Sequence, residues 1–305
     1  MDQRSFFEVS GPEDGRRDYF RTDLACESST PAAALEEESR ALRGCPGAAP
    51  VTVTRRVEED GGRSVTLACG RITARGEAEL EPLAELLAEE VTGMASAMIG
   101  RTLGADCRVL VVGLGNEGMT PDAIGPRTVS RLTVTRHLRG YDEVLFSALG
   151  CCELSALAPG VLGQTGMESG ELVKAAVELT RPDLLVAVDA LAAGDCDRLA
   201  STIQLTDRGI CPGAGIGNHR MPLTCVTMGC PVMGVGVPTV VDSCTLVLDA
   251  LERAGVAAEE LSPSLLAVLE SGRSFIVTPR DCDGMVELTC RLLAKAFNMA
   301  FGVGE

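Results

Sequence analysis

Two continuous apolar runs constrain this chain more than anything else in it: RVLVVGLGN at 108–116 and LLVAVDA at 184–190. A strand with one wet face alternates apolar and polar residues. These runs do not alternate, so they fit strands covered on both faces, as in a parallel sheet. Similar runs occur at EVLFSAL (143–149) and PVMGVGVP (231–238). Helical periodicity sits between or after them, at 82–99, 127–138, 170–180, 242–254 and 279–300, with Pro82 suited to a first helical turn. The alternation predicts an α/β fold, a mostly parallel sheet with helices on both faces. Before it, VTVTRRV (51–57) and SVTLACGRIT (64–73) flank Asp60-Gly61-Gly62 and predict a β-hairpin. Residues 1–50 are polar, punctuated by Pro and Gly, and read as a mobile or extended arm.

In such sheets ligands bind beyond the carboxyl ends of the strands. The sequences there are GLGNEGMTPDAIGP (113–126), VDALAAGD (188–195) and VGVPTVVD (235–242). Two Gly-rich loops join them, LAPGVLGQTGMESGE (157–171) and GICPGAGIGNHR (209–220). Gly113, Gly115 and Gly118 match the spacing of a dinucleotide loop, but Thr120-Pro121-Asp122 restarts the chain before a helix can open on the third glycine. There is no P-loop and no G-x-S-x-G nucleophile elbow.

Composition narrows the chemistry. With 27 Lys and Arg against 43 Asp and Glu, the net charge is −16, which disfavours direct nucleic-acid binding. Two histidines leave little for a His-based metal site, and 13 scattered cysteines without a C-x-x-C suit packing in a reducing compartment. The amino terminus has no apolar signal core, and the longest apolar stretch, 231–241, is too short to span a bilayer, so a cytoplasmic protein that does not contact a membrane is expected. Catalysis then falls to carboxylates, main-chain amides, hydroxyls or thiols, with no cofactor or metal expected.

Asp122, Asp189 and Asp242 are acids at strand ends: Asp189 closes the apolar run 184–188, Asp122 lies in the glycine-rich loop after 108–116, and Asp242 follows Pro238-Thr239-Val240-Val241. The first two each have a plain structural reading: Asp122 complements a helix dipole in a first turn, and Asp189 caps a turn. Close together, Asp122 and Asp189 become a pair in which one carboxyl keeps its proton and the other stays a base. Asp242 reads as a helix cap, and Asp195 and Asp197 as a solvated turn. His137 fits a helix end, and Cys151-Cys152 fits packing.

Several strings are more specific than fold patterning: RTDLA (21–25), VVGLGN and TPDAIGP within 111–126, TRHL (135–138), LAPGVLGQTGMESGE, RPDLLVAVDALAA (181–193), STIQLTDRGICPGAGIGNHR (201–220), GVPTVVD (236–242) and IVTPRDCD (276–283). Over about residues 21–300 the chain resembles the spore germination protease family of endospore-forming bacteria. The resemblance implies an atypical aspartic-type endopeptidase with a fold similar to hydrogenase-maturation endopeptidases. Its substrates would be small acid-soluble spore proteins that coat DNA in the spore core. It also implies a homotetramer, and a zymogen that removes its own propeptide. The catalytic pair carries over to Asp122 and Asp189. Residue types alone leave open which is acid and which is base. Thr22-Asp23-Leu24-Ala25 matches the family's cleavage pattern, so propeptide release is expected between Asp23 and Leu24, dividing the chain into an arm (1–23) and one peptidase domain (24–305). Gly113, Gly115, Asn116, Gln164, Thr165, Gly166, Gly215, Gly217 and Asn218 are the candidate oxyanion or substrate-loop residues. The loop at 157–171 could cover the site as a lid. His219 stands where the family usually has Lys. Two rival readings are a metal-assisted peptidase on the same acids and a dinucleotide- or small-ligand-binding protein.

Overall fold

The computed structural model describes residue 23 and residues 32–213, 220–256, 260–271 and 275–303. Three antiparallel strands come first: β1 (Ala32–Arg40), β2 (Val51–Glu58) and β3 (Arg63–Ala68). The hairpin falls where the D-G-G turn places it, with Gly61 at φ +87° and Asp60 Oδ1 accepting the Gly62 N–H. Residues 32–40, expected in the arm, instead form β1 and pair along β2, so this part of the arm is tied into the sheet.

Helix α1 runs Glu77–Ile99, starting five residues earlier than its apolar periodicity suggested. Glu79 Oε1 accepts the Gly76 N–H at 3.3 Å at its start. Pro82 therefore lies inside the helix and cannot donate to the carbonyl of Ala78. The Cys45 thiol supplies a donor there instead, at 3.4 Å. Then come β4 (Arg108–Gly113), α2 (Ile124–Val129), α3 (Arg136–Tyr141), α4 (Glu143–Leu149) and β5 (Glu153–Leu157). The expected strand EVLFSAL is α4. Asp142 caps it by accepting the Leu145 N–H at 2.9 Å, Gly150 ends it in a left-handed conformation, and only Phe146 is buried. The expected helix 127–138 is two short helices separated by residues 130–135, of which Thr135 exchanges hydrogen bonds with Leu154 and donates to Cys152 O.

The remaining elements are α5 (Leu162–Thr165), α6 (Ser169–Thr180), β6 (Leu184–Ala192), β7 (Thr202–Thr206), α7 (Cys225–Met228), β8 (Val232–Asp242), α8 (Ser243–Arg253), α9 (Pro263–Ser271), β9 (Ile276–Val277) and α10 (Cys282–Ala300). The sheet order is β1-β2-β3-β7-β8-β6-β4-β5, with β9 against β8. Strands β8, β6, β4 and β5 form the parallel core expected from the apolar runs. Antiparallel β7 extends it toward the hairpin.

The absence of alternation has its cause in the packing. Val109, Val111, Leu184, Val186 and Val188 face the cluster containing α1 and α10. Leu110, Val112, Leu185 and Ala187 face Val173 and Val177 of α6. Each fully buried aliphatic side chain contributes roughly 1.5–3 kcal/mol. Twelve described cysteines are free thiols, most of them buried. Among the described residues no helix is long and apolar enough to cross a membrane.

Candidate active site

Strands β4 and β6 run side by side through Gly113 and Val188, and both then release their chains at the carboxyl edge. After Gly113 the chain turns sharply. Leu114 N–H donates to Val188 O at 2.8 Å, and Gly115 takes φ +109°. No side chain fits at these bends. A Cβ on Gly113 would lie 2.1 Å from Gly125 O, and one on Gly115 2.1 Å from Asp122 O. The turn Thr120–Asp122 thus folds directly over the glycines. Thr239 on β8, fully buried, holds it by donating to Pro121 O at 2.7 Å.

This folding aims Asp122 back into its own loop, where Oδ2 accepts the Asn116 N–H at 2.8 Å. Asn116 Oδ1 accepts the Gly118 N–H and, at 2.7 Å, the side-chain amide of Gln164 on α5. Three of the loop's amides, on Leu114, Asn116 and Gly118, are therefore engaged within the protein. That narrows the part the 113–118 loop can play toward an oxyanion, and it occupies N–H groups a dinucleotide pyrophosphate would need. Thr165 Oγ1 donates within its own turn and Gly166 ends α5 with φ +71°, so these two shape the loop that carries Gln164.

Asp189 lies on β6 opposite Gly236 of β8 and is 6% exposed. Strand alternation gives it the face of Leu185 and Ala187. Its Oδ1 accepts the Ala190 N–H at 2.9 Å, a local partner. Burial pushes this carboxyl well above the ordinary carboxylate range, and the nearby charge of Asp122 pushes it the same way. Burial also raises Asp122, but the Asn116 N–H and the charge of Arg220 pull it back. The two acids thus meet in one electrostatic environment with unequal proton affinities.

Asp23 joins them. Its N–H donates to Ala192 O at 3.0 Å and its carboxylate accepts the Ala192 N–H at 2.9 Å, three residues beyond Asp189. Its charge also raises Asp189. Leu24, Gly215, Gly217, Asn218 and His219 lie outside the described residues. Asp242 caps α8, accepting from Thr245 N–H and Oγ1. Asp195 accepts from Asp197 N–H in a short turn, and His137 lies in α3 beside Tyr141. Among the described residues no group of three or more His, Cys, Asp and Glu is placed to hold a metal ion. Sequence reasoning missed three contributors: Arg220, Thr239 and the main chain of Ala192. Arg220 stands in a recognisable loop, but the other two carry no sequence signature of their role.

The sequence pattern that defines the germination protease family matches residues 50–254. The chain belongs to the germination protease family. A germination protease of Clostridium acetobutylicum is 36% identical over 265 residues, covering 80% of each chain. One from Clostridium perfringens is 36% identical over 274 residues, covering 82% of this chain and 83% of its own. One from Bacillus velezensis is 38% identical over 233 residues, covering 74% and 62%. Membership in the germination proteases makes the chain a peptidase, and Asp122 and Asp189 both lie within the matched span.

Proposed function

We propose that this chain is an endopeptidase that begins the breakdown of small acid-soluble, DNA-coating spore proteins during germination, with Asp122 and Asp189 as its catalytic pair. The observation that carries the reading is the buried Asp189 carboxyl at the edge of the parallel core, its proton affinity raised by desolvation and by the charge of Asp122. Asp122, also raised by burial but tempered by the Asn116 N–H and Arg220, is assigned the part of the ionised member in this reading. In hydrolysis Asp122 takes a proton from water as the water oxygen attacks the scissile carbonyl carbon. Asp189 gives its proton to the carbonyl oxygen. Collapse of the tetrahedral intermediate breaks the C–N bond, and the proton on Asp122 passes to the departing amine while Asp189 regains its own.

The arm at 1–23 acts as a propeptide released by self-cleavage between Asp23 and Leu24. The position of Asp23 on Ala192, beside Asp189, supports this. The net charge of −16 suits basic segments of DNA-binding substrates and not DNA itself. Assembly as a homotetramer in the cytoplasm of the spore core completes the reading and rests on family membership. Mass spectrometry of the amino terminus after incubation tests it, alone and with a small acid-soluble spore protein. A new terminus at Leu24 and fragments of the spore protein are expected. An intact chain and intact substrate would overturn it.

A further inference from the structure

Strand β4 accompanies β6 only as far as the pair Gly113–Val188. Beyond it, among the described residues, no strand pairs with the β4 side of β6, while the other side stays paired to β8 through Ala192 and Val240. The β6–β8 register shifts between Leu191 and Ala192, a bulge of the kind that re-aims main-chain groups beside active sites. Ala193 N–H goes to Val240 O on the β8 side, so alternation turns the N–H and C=O of Ala192 toward the open side.

Asp23 takes both groups. Its main-chain N–H donates to Ala192 O as an added strand would, and its carboxylate, not its carbonyl, accepts from Ala192 N–H. An extended peptide can be held this way through its backbone, and a carboxylate acceptor makes the second bond charge-assisted. The same carboxylate acts electrostatically on Asp189, so whatever residue sits here is close to the catalytic acid.

We infer that the open edge of β6 at Ala192 is the subsite for the acidic residue on the amino side of the scissile bond, with the N–H and C=O of Ala192 as its recognition groups. This rests on the peptidase reading above and extends it from the protein's own arm to substrates: an aspartyl or glutamyl side chain in an extended peptide takes the place Asp23 holds. The acid is read by main chain, so no side chain at position 192 is required.

The test has two readouts. In the full chain carrying Asp122→Asn, amide hydrogen exchange at Ala192 is compared with and without Asp23→Ala. Loss of a charge-assisted bond is expected to cut protection at Ala192 about 10-fold or more. Unchanged protection would overturn the subsite. Second, kcat/KM is measured on paired peptides with Asp or Ala before the cleaved bond. The Asp peptide is expected to be favoured about 10- to 100-fold by the native enzyme. In Ala192→Pro, which deletes the N–H, the preference should fall below about threefold. A folded Ala192→Pro that keeps the full preference would overturn the subsite, and if that variant does not fold, the exchange result decides. If no peptide is cleaved while protection still depends on Asp23, the docking stands and the peptidase reading falls.

Discussion

Asp122 and Asp189 reach the carboxyl edge of the sheet from different directions, and their unequal settings follow from that. Asp189 is rooted in β6, buried, with one local N–H for company. Asp122 arrives on a turn folded over glycines and finds the Asn116 N–H waiting at 2.8 Å. Desolvation acts on both, but only Asp122 has both the Asn116 bond and partial access to water to stabilise its charge. Acid–base hydrolysis by a carboxyl pair needs such an asymmetry in proton affinity.

Neutral, isosteric replacements test that pairing. In the proposed mechanism Asp122→Asn removes the base and Asp189→Asn removes the transferable proton, while each amide keeps an oxygen for Asn116 or Ala190. Both variants should fold. Each should lose about 10²-fold or more in hydrolysis and remain unprocessed at the amino terminus. Near-native cleavage by either, followed by mass spectrometry, would remove that residue from the mechanism.

The same burial makes a stability prediction with a definite sign. The folded-state proton affinity of Asp189 lies above that of the unfolded chain. Its stabilising protonation is complete below the unfolded carboxylate pKa of about 3.9, and is lost as pH rises through the higher folded value. Asp189→Asn has no such loss. Thermal melts should show the variant gaining on the native protein between pH 4 and pH 8, by about 1.4 kcal/mol for each tenfold difference in proton affinity. A gap that widens in favour of the native protein would contradict it.

Gly125 and Gly93 should respond in opposite directions to the same change. A Cβ on Gly125 would lie 2.2 Å from Leu114 O and 2.6 Å from Val188 O, main-chain atoms that fix the loop carrying Asp122. Gly125→Ala should destabilise by about 3 kcal/mol or more and impair hydrolysis. Gly93 is exposed inside α1 with nothing within 4 Å of its would-be Cβ. Gly93→Ala should stabilise by about 0.5–1 kcal/mol. Chemical denaturation of the two variants separates a positional role from a general one.

These contrasts show where the sequence was readable. Runs 108–116 and 184–190 announced β4 and β6 because burial on both faces leaves no polar residue to break the pattern. Asp189 stood out for the same reason, and Asp122 by its place in the glycine-rich loop that follows β4. EVLFSAL looked alike and became α4, since a short apolar run has no period of its own and the deciding signals, Asp142 and Gly150, lie outside it. The Ala192 main-chain groups that hold Asp23 left no mark because such groups are common to every residue. Thr239 was equally silent, because its hydroxyl acquires a role only when β8 comes beneath Pro121.

Gln164 links the loop at 157–171 to the glycine turn through one exposed hydrogen bond, 2.7 Å to Asn116 Oδ1. An exposed bond adds little to the fold, so Gln164→Ala should shift stability by no more than about 0.5 kcal/mol. If the loop orders over bound substrate, kcat/KM should fall about 10-fold, the weight of one well-formed hydrogen bond. Equal losses in stability and activity would make the link merely structural.

Arg220 gives the sharpest electrostatic test, because its charge lowers the proton affinity of both acids. Arg220→Gln removes that charge. Asp122 must be ionised to act as base, so the acid limb of kcat/KM should move to higher pH. Asp189 must stay protonated to act as acid, so the alkaline limb should move upward as well. The whole bell is therefore expected to shift toward alkaline pH, with both limbs moving in the same sense. A pH–rate profile of the processed enzyme reads this directly. A stationary profile, or limbs that move in opposite directions, would mean that Arg220 does not govern the pair or that the two acids do not hold the roles assigned to them.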